Sequence, residues 1–523
     1  QIVQGLQEMA AYEGVASLYL TAGDHTLPQP FYEAAAQAPS LGAPGLGDIG
    51  FYNAVDLVAN GMGNHEFDGG IDEFATMLAN ANYPFLAANL DFASIQLKPG
   101  TPAIQIGVDG GNVMENSGKV ARSSYIELNG EKIGLIGRAP ADFFNVVADP
   151  ANTLPGLDFV GGRNPENNQP LVSALSLVLE QVDILKAKGI TKIILMDHAQ
   201  DFTGDPLSAQ LLRDIDIIVS AGTTGFMGSE NGFGPYNLLR PGDEPTTSYP
   251  TVRDDSDGNP VLVVNSDQLY RYVGNLIVGF DEHGVIDFVD KRSGPIATTK
   301  SGVEQLGREL GRELELSTEV RQIWDALQAT PIVQTQFEVA GTTDEPLIGQ
   351  RSEVRSRETN LGRLVADSTL WYAQEFIDAN NVNIDDVDIA LKNGGGIRDN
   401  ILGPNVTRFT IGAALAFDNN LAIVELTAKE LLATMENSIS RVPSLDGRFP
   451  QVAGIYMEFD ANRAGVSDRV TMVTPSRVGT LVVHRSNGTT DTVVQNFELV
   501  GDPNRTFVLA TNNFLLTGGD GYR

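Results

Sequence analysis

Gly63-Asn64-His65-Glu66-Phe67-Asp68 is the stretch on which the reading of this chain turns, because it sets an amide, an imidazole and two carboxylates at the end of an apolar run. Working outward from it, a second apolar run, Val15 to Ala22, meets Gly23-Asp24; others end at His198 and near Ser220. Short apolar runs that stop at polar or glycine-rich residues read as buried strands carrying functional groups on their tips. Between them, Ile71 to Asn80 and Leu171 to Lys188 have helical spacing. Strand and helix in alternation predict one large α/β domain for the front half.

The chain has 523 residues, enough for more than one core, since single cores stop growing at roughly 250–300 residues. Its 67 acidic residues against 35 basic ones give a formal charge of -32, which argues against wrapping a nucleic acid polymer, where Lys and Arg provide the binding energy. A small anionic ligand then needs a local basic pocket. No apolar run is long enough to span a bilayer. Zero cysteines exclude disulfides, thiolate catalysis and Cys-based zinc sites, leaving His, Asp, Glu and Asn to hold any metal. Asp254 to Asn259 looks like a fragment of a calcium loop but lacks its closing Glu, and is read as a hydrophilic turn. The leucine-rich, proline-free stretch Ser301 to Ala329 predicts an amphipathic helix joining two halves, after which Ile332 to Val339 is strand-like and Asn360 to Ala379 helical.

The hexapeptide around His65 resembles the signature of the calcineurin-like metallophosphoesterases and, within them, the 5′-nucleotidases. The resemblance implies a site binding two divalent ions, with Zn, Mn, Mg and Ca all open. Such ions hold phosphate oxygens and activate water. It makes Asn64 a metal ligand, His65 the residue facing the phosphoryl group, Asp68 the partner that fixes the tautomer of His65, Asp24 the bridging carboxylate and His198 a later ligand. Alone, His198 or Asp24 would read as a hydrogen-bonded strand end or a helix cap; the run of six matching residues is what changes that. The chain departs from the family twice. The family's opening Asp-x-His does not occur before Asp24, which implies a domain lacking its first strand. Its later Gly-His-x-His is replaced by Gly222-Thr223-Thr224-Gly225. His25 is the candidate substitute ligand, against a reading as a surface or supporting residue, and loss of imidazole would favour oxygen-loving ions.

In the back half, Asn393-Gly394-Gly395-Gly396-Ile397-Arg398 follows the apolar run Val387 to Leu391. Glycines let the backbone approach a ligand closely, and an Arg can pair with phosphate or carboxylate. With Arg351-Ser352-Glu353-Val354-Arg355, Glu358-Thr359-Asn360-Leu361-Gly362 and the terminal Thr511 to Gly521, this order resembles the 5′-nucleotidase C-terminal domain. The resemblance implies a substrate site in which Asn393, Gly395, Arg351, Arg355 and Arg398 surround the phosphate end. Phe417 and Phe514 would sandwich a base, Asn419 would hydrogen-bond it, and Asp520 would accept from ribose hydroxyls. Each Phe taken singly reads as core, and the Arg pair as surface. Ala416-Phe417-Asp418-Asn419 departs from the family's Pro-Phe-Gly-Asn.

The whole is expected to be a two-domain α/β protein: a four-layer α/β/β/α metallophosphoesterase sandwich over residues 1–300, a linker helix over 301–330, and an α/β 5′-nucleotidase C-terminal domain over 331–523. The expected function is an exported phosphohydrolase, secreted, periplasmic or on the cell surface, acting on nucleotides, nucleotide sugars or other phosphomonoesters. The alternative is a catalytically degenerate member serving as a secreted binding or structural protein, attached to a surface or self-associating.

Overall fold

The computed structural model describes the chain except residues 165–168, 201–203, 223–226, 229–238, 241–242, 244, 268–269, 418, 466–474 and 523, and the side chains of 204–207. Two compact units emerge. The first comprises Gln1–Leu27, Phe31–Phe144 and Pro150–Thr330, the second Pro28–Pro30, Asn145–Asp149 and Pro331–Arg523.

In the first unit the run Ile193 to Met196 is buried on both faces, which suits a strand inside a parallel sheet rather than at a solvated surface. It belongs to strand Lys192–Asp197, flanked in parallel by Glu131–Arg138 and Ile217–Ser220 in a seven-stranded sheet. A four-stranded parallel sheet, ordered Tyr19–Thr21, Leu57–Gly61, Phe85–Leu86, Val120–Ala121, packs face to face against it. Ala22, Ala59 and Leu86 at the first sheet share one core with Leu135, Ile136 and Leu195 of the second. Helix Leu46–Ala54 packs on the four-stranded sheet and helix Ala174–Ala187 on the seven-stranded one, completing the expected α/β/β/α layering. Helix Gly70–Asn80 buries Ile71, Phe74, Ala75 and Leu78, the spacing that marked it in the sequence.

The second unit centres on a sheet ordered Leu421–Thr427, Thr506–Asn512, Ile389–Asn393, Pro450–Ala453. Ile389 and Leu391 point to one face, where Leu431, Leu432 and Met435 of helix Ala428–Ile439 cover them. Ala390 points to the other and meets Ala366, Ala373 and Ile377 of helix Asn360–Asn380.

Three local expectations differ from the fold. The run Val15 to Ala22 supplies only the short strand Tyr19–Thr21. Ser301 to Ala329 is two helices, Lys300–Glu309 and Thr318–Gln328, because Gly311 turns the chain at φ +68° and Ser317 caps the second helix through its hydroxyl. Leu306 and Leu314 bury against Ile2, and Trp324 stacks on Phe31. The segment from Ile332 starts as helix Pro331–Gln334, Pro being suited to a first helical turn, and strand Val339–Thr342 begins later. Asp254 to Asn259 is the expected turn: one Asp255 carboxylate oxygen accepts from the backbone N–H of Asp257 and of Asn259, both at 2.8 Å.

Candidate phosphoesterase site

The tips of three strands in the first unit bring Asp24, Asn64, His65 and His198 together. Asp24 follows strand Tyr19–Thr21 in a left-handed conformation, φ +55°, that a non-glycine residue adopts only at a cost. One of its oxygens, Oδ1, accepts from the backbone N–H of Asn64 at 3.0 Å and of His65 at 2.9 Å. The other, Oδ2, lies 3.0 Å from His198 Nε2 and 3.9 Å from His65 Nε2. His65 Nδ1 is 2.8 Å from Asp68 Oδ2, the pairing expected from the sequence, which leaves Nε2 facing Asp24.

His198 is fully buried, and its Nδ1 donates to Ala22 O at 2.7 Å. That tautomer leaves Nε2 a bare lone pair; although close to Asp24 Oδ2, it lies off a hydrogen-bonding line and has no such partner among the described residues. Two acceptors opposed at 3.0 Å in a buried site call for a cation between or beside them, and a proton on the imidazole can also relieve their opposition. Burial alone would depress His198, but Asp24 outweighs it and lifts the imidazole to about 9. Burial likewise pushes Asp24 up, yet His198 and His65 hold it well below the usual carboxylate range. An imidazole nitrogen, a carboxylate oxygen and the Asn64 amide carbonyl form a donor set that fits one divalent ion. Among the described residues there is no group of three or more His, Cys, Asp or Glu side chains placed to hold a metal, and this set reaches three only through Asn64.

Thr223, Thr224 and Gly225 lie outside the described residues. His25 is not a spare ligand. It is buried, with Nδ1 on Glu66 Oε1 at 2.8 Å and Nε2 on Tyr83 Oη at 3.2 Å. Glu66 had drawn no role from the sequence beyond its place in the motif. Its Oε1 also accepts from His25 N–H at 3.0 Å and its Oε2 from Gly63 N–H at 2.8 Å, so one buried carboxylate ties the Asp24 loop to the Asn64 loop. Beneath His198, Arg138 and Asp197 form a buried two-pronged ion pair at 2.5 and 2.7 Å. Strand register places them side by side, information that residue spacing does not hold. Gln200 also enters the site, its amide N–H on Asn64 Oδ1.

In the second unit, the turn after strand Ile389–Asn393 is pinned by Gly394 N–H on Phe449 O at 2.7 Å and Gly395 N–H on Gly447 O at 2.8 Å. Asn393 Nδ2 donates to Asp520 Oδ2 at 2.6 Å, and burial together with Asp446 raises the Asp520 carboxyl. Arg355 is buried; its Nε has no hydrogen-bond partner among the described residues, and burial, then the charge of Arg398, lowers it to about 10. Arg351 sits half-buried one turn earlier, in helix Arg351–Val354. The Arg398 guanidinium lies 5.4 Å from the centre of the Phe417 ring. The segment carrying Phe417 and Asn419 is tied to the one carrying Phe514 by Asn420 N–H on Asn513 Oδ1 at 2.8 Å and Asn513 N–H on Asn420 O at 3.0 Å. The Phe514 ring lies against Gly519, beside Asp520, and both Phe417 and Phe514 are only partly buried. Asp418 is outside the described residues.

An α/β/β/α sandwich with these groups on its strand tips, together with a separate α/β unit, is the architecture of two-domain calcineurin-like phosphoesterases. Residues 339–523 match the family model "5′-nucleotidase, C-terminal domain". Over 476 residues the chain is 28% identical to a 5′-nucleotidase of Diplobatis ommata, covering 90% of this chain and 70% of that one. It is 26% identical over 494 residues to the trifunctional nucleotide phosphoesterase protein YfkN of Bacillus subtilis, covering 91% of this chain but 28% of that longer protein. The crystal structure of a 5′-nucleotidase precursor from Thermus thermophilus superposes with a TM-score of 0.76 at 26% identity, over 99% of this chain and 84% of that one. Residues 339–523 thus carry a 5′-nucleotidase C-terminal domain, and the chain is similar in sequence and fold to 5′-nucleotidases over nearly all its length.

Proposed function

We propose that this chain is an exported, divalent-metal-dependent phosphohydrolase that removes phosphate from nucleotide monoesters. The observation that carries the reading is the orphaned His198 Nε2 opposite Asp24 Oδ2 beside the Asn64 amide. Asp24, Asn64 and His198 would hold the ion. When bound, such an ion polarises a phosphoryl oxygen and lowers the pKa of water. His65, oriented by its Nδ1–H on Asp68, presents Nε2 to the phosphoryl oxygens and, when that nitrogen is also protonated, donates to the charge developing on them. Residues 1–300 make up this catalytic domain and 331–523 the substrate domain, joined through 301–330. Arg351, Arg355, Asn393, Gly395 and Arg398 bind the phosphate end of the substrate, Phe417 and Phe514 stack the base, Asn419 meets its edge and Asp520 holds the ribose.

The test is release of phosphate from AMP by purified protein, before and after EDTA and on adding Mn²⁺ or Zn²⁺ back. EDTA should abolish turnover and metal restore it, while His65→Ala should lower kcat on the order of 10²-fold or more. Turnover indifferent to EDTA and to His65→Ala rules the reading out. Glycerol phosphate cleaved as well as AMP removes base stacking from it.

A further inference from the structure

Gln200 stands two residues beyond His198 with φ +60°, in the left-handed region that side chains other than Gly, Asn and Asp seldom occupy. Nothing in an ordinary loop requires glutamine there. A costly backbone conformation that persists beside a reactive site points to what the side chain does. Here the side chain turns inward, and its amide N–H is donated to Asn64 Oδ1, the oxygen assigned above to the ion. Room for it exists because residue 222 is glycine. A Cβ there would lie 3.0 Å from Gln200 Cγ and 2.8 Å from His198 Cδ2 and Nε2. The Gln200 stem, the His198 ring and the Gly222 backbone are thus in close approach around one point.

We propose that Gln200 is a positioning residue of the metal site, holding the Asn64 carbonyl in the orientation that presents its second lone pair to the ion. This rests on the reading of Asn64 as a ligand. A carbonyl oxygen has two lone pairs, so one can accept from Gln200 while the other faces a cation. Glutamine suits the task because its N–H is neutral. An ammonium or guanidinium at the same point would repel the ion it is meant to help bind. Fixing a ligand through a hydrogen bond from outside the coordination shell is worth about 10–100-fold in metal affinity where it has been perturbed.

Binding of Mn²⁺ to the metal-free protein, followed by electron paramagnetic resonance of the free ion, tests this without reference to turnover. Gln200→Gly removes the amide while relieving the left-handed backbone; Gln200→Met removes the amide and keeps the bulk. Both should weaken Mn²⁺ binding by about 10–100-fold. The melting temperature of metal-free Gln200→Gly should be no lower than that of the parent, a combination that a purely structural role would reverse. Mn²⁺ affinity unchanged in both variants overturns the role of Gln200 and leaves the metal site standing. Affinity unchanged in Asn64→Ala overturns the metal-site reading, and this inference with it.

Discussion

His198 carries a pH dependence that can be worked out residue by residue. With no metal ion on Nε2, the facing Asp24 carboxylate lets the imidazole hold a second proton to about pH 9 in the fold, whereas an unfolded histidine releases it near 6.5. Between those values the native state binds more protons than the unfolded one, so stability falls as pH rises through this window and is fully present below it. Asp24 has the opposite sign. Its carboxyl is depressed in the fold, so its contribution exists above the unfolded value near 4 and is lost as pH falls further. The metal-free protein should therefore melt at a lower temperature at pH 9 than at pH 6.5, by the equivalent of roughly 1–3 kcal/mol. His198→Gln should flatten that slope, which thermal denaturation across the range will check. A slope unchanged by the substitution would mean that the pair is not linked as the geometry indicates.

At the scale of elements, the two sheets approach so closely that residue 137 has no space for a side chain. A Cβ on Gly137 would lie 1.9 Å from the Leu86 carbonyl oxygen, backbone that cannot swing aside. Gly137→Ala should separate strand Glu131–Arg138 from Phe85–Leu86 and cost about 3 kcal/mol or more, beyond the usual range for overpacking. Urea denaturation measures it; a loss under about 0.5 kcal/mol, the level of a typical surface substitution, would contradict the packing described. Helix Gly70–Asn80 was legible because burial of one face imposes a period on the sequence, and strand Lys192–Asp197 because burial of both faces leaves an unbroken apolar run. The break at Gly311 and the helical start at Pro331 were not. Leucine spacing continues across the first, and apolar residues fit either state at the second.

For the whole molecule, the charge of -32 acts on stability through self-repulsion. Raising NaCl from about 10 mM to about 0.5 M shortens the screening length from ~30 Å to a few ångströms. Exposed ion pairs such as Lys186–Asp214 lose little, since such pairs contribute about 0–1 kcal/mol. The melting temperature should therefore rise with salt; a steady fall would show that attractive pairs outweigh the net charge. Among the described residues no helix is long and apolar enough to cross a membrane.

The sequence by itself determined the layered α/β architecture and which residues would stand on the strand tips, because apolar runs ending in Asp24, Asn64 and His198 record burial and its limit locally. Only the tertiary structure decided that His25 is enclosed by Glu66 and Tyr83, that Arg138 pairs with Asp197, and that Gln200 reaches Asn64. Those contacts join residues 41 to 136 positions apart through strand register and backbone conformation, and neither quantity is written into the spacing of residue types along the chain.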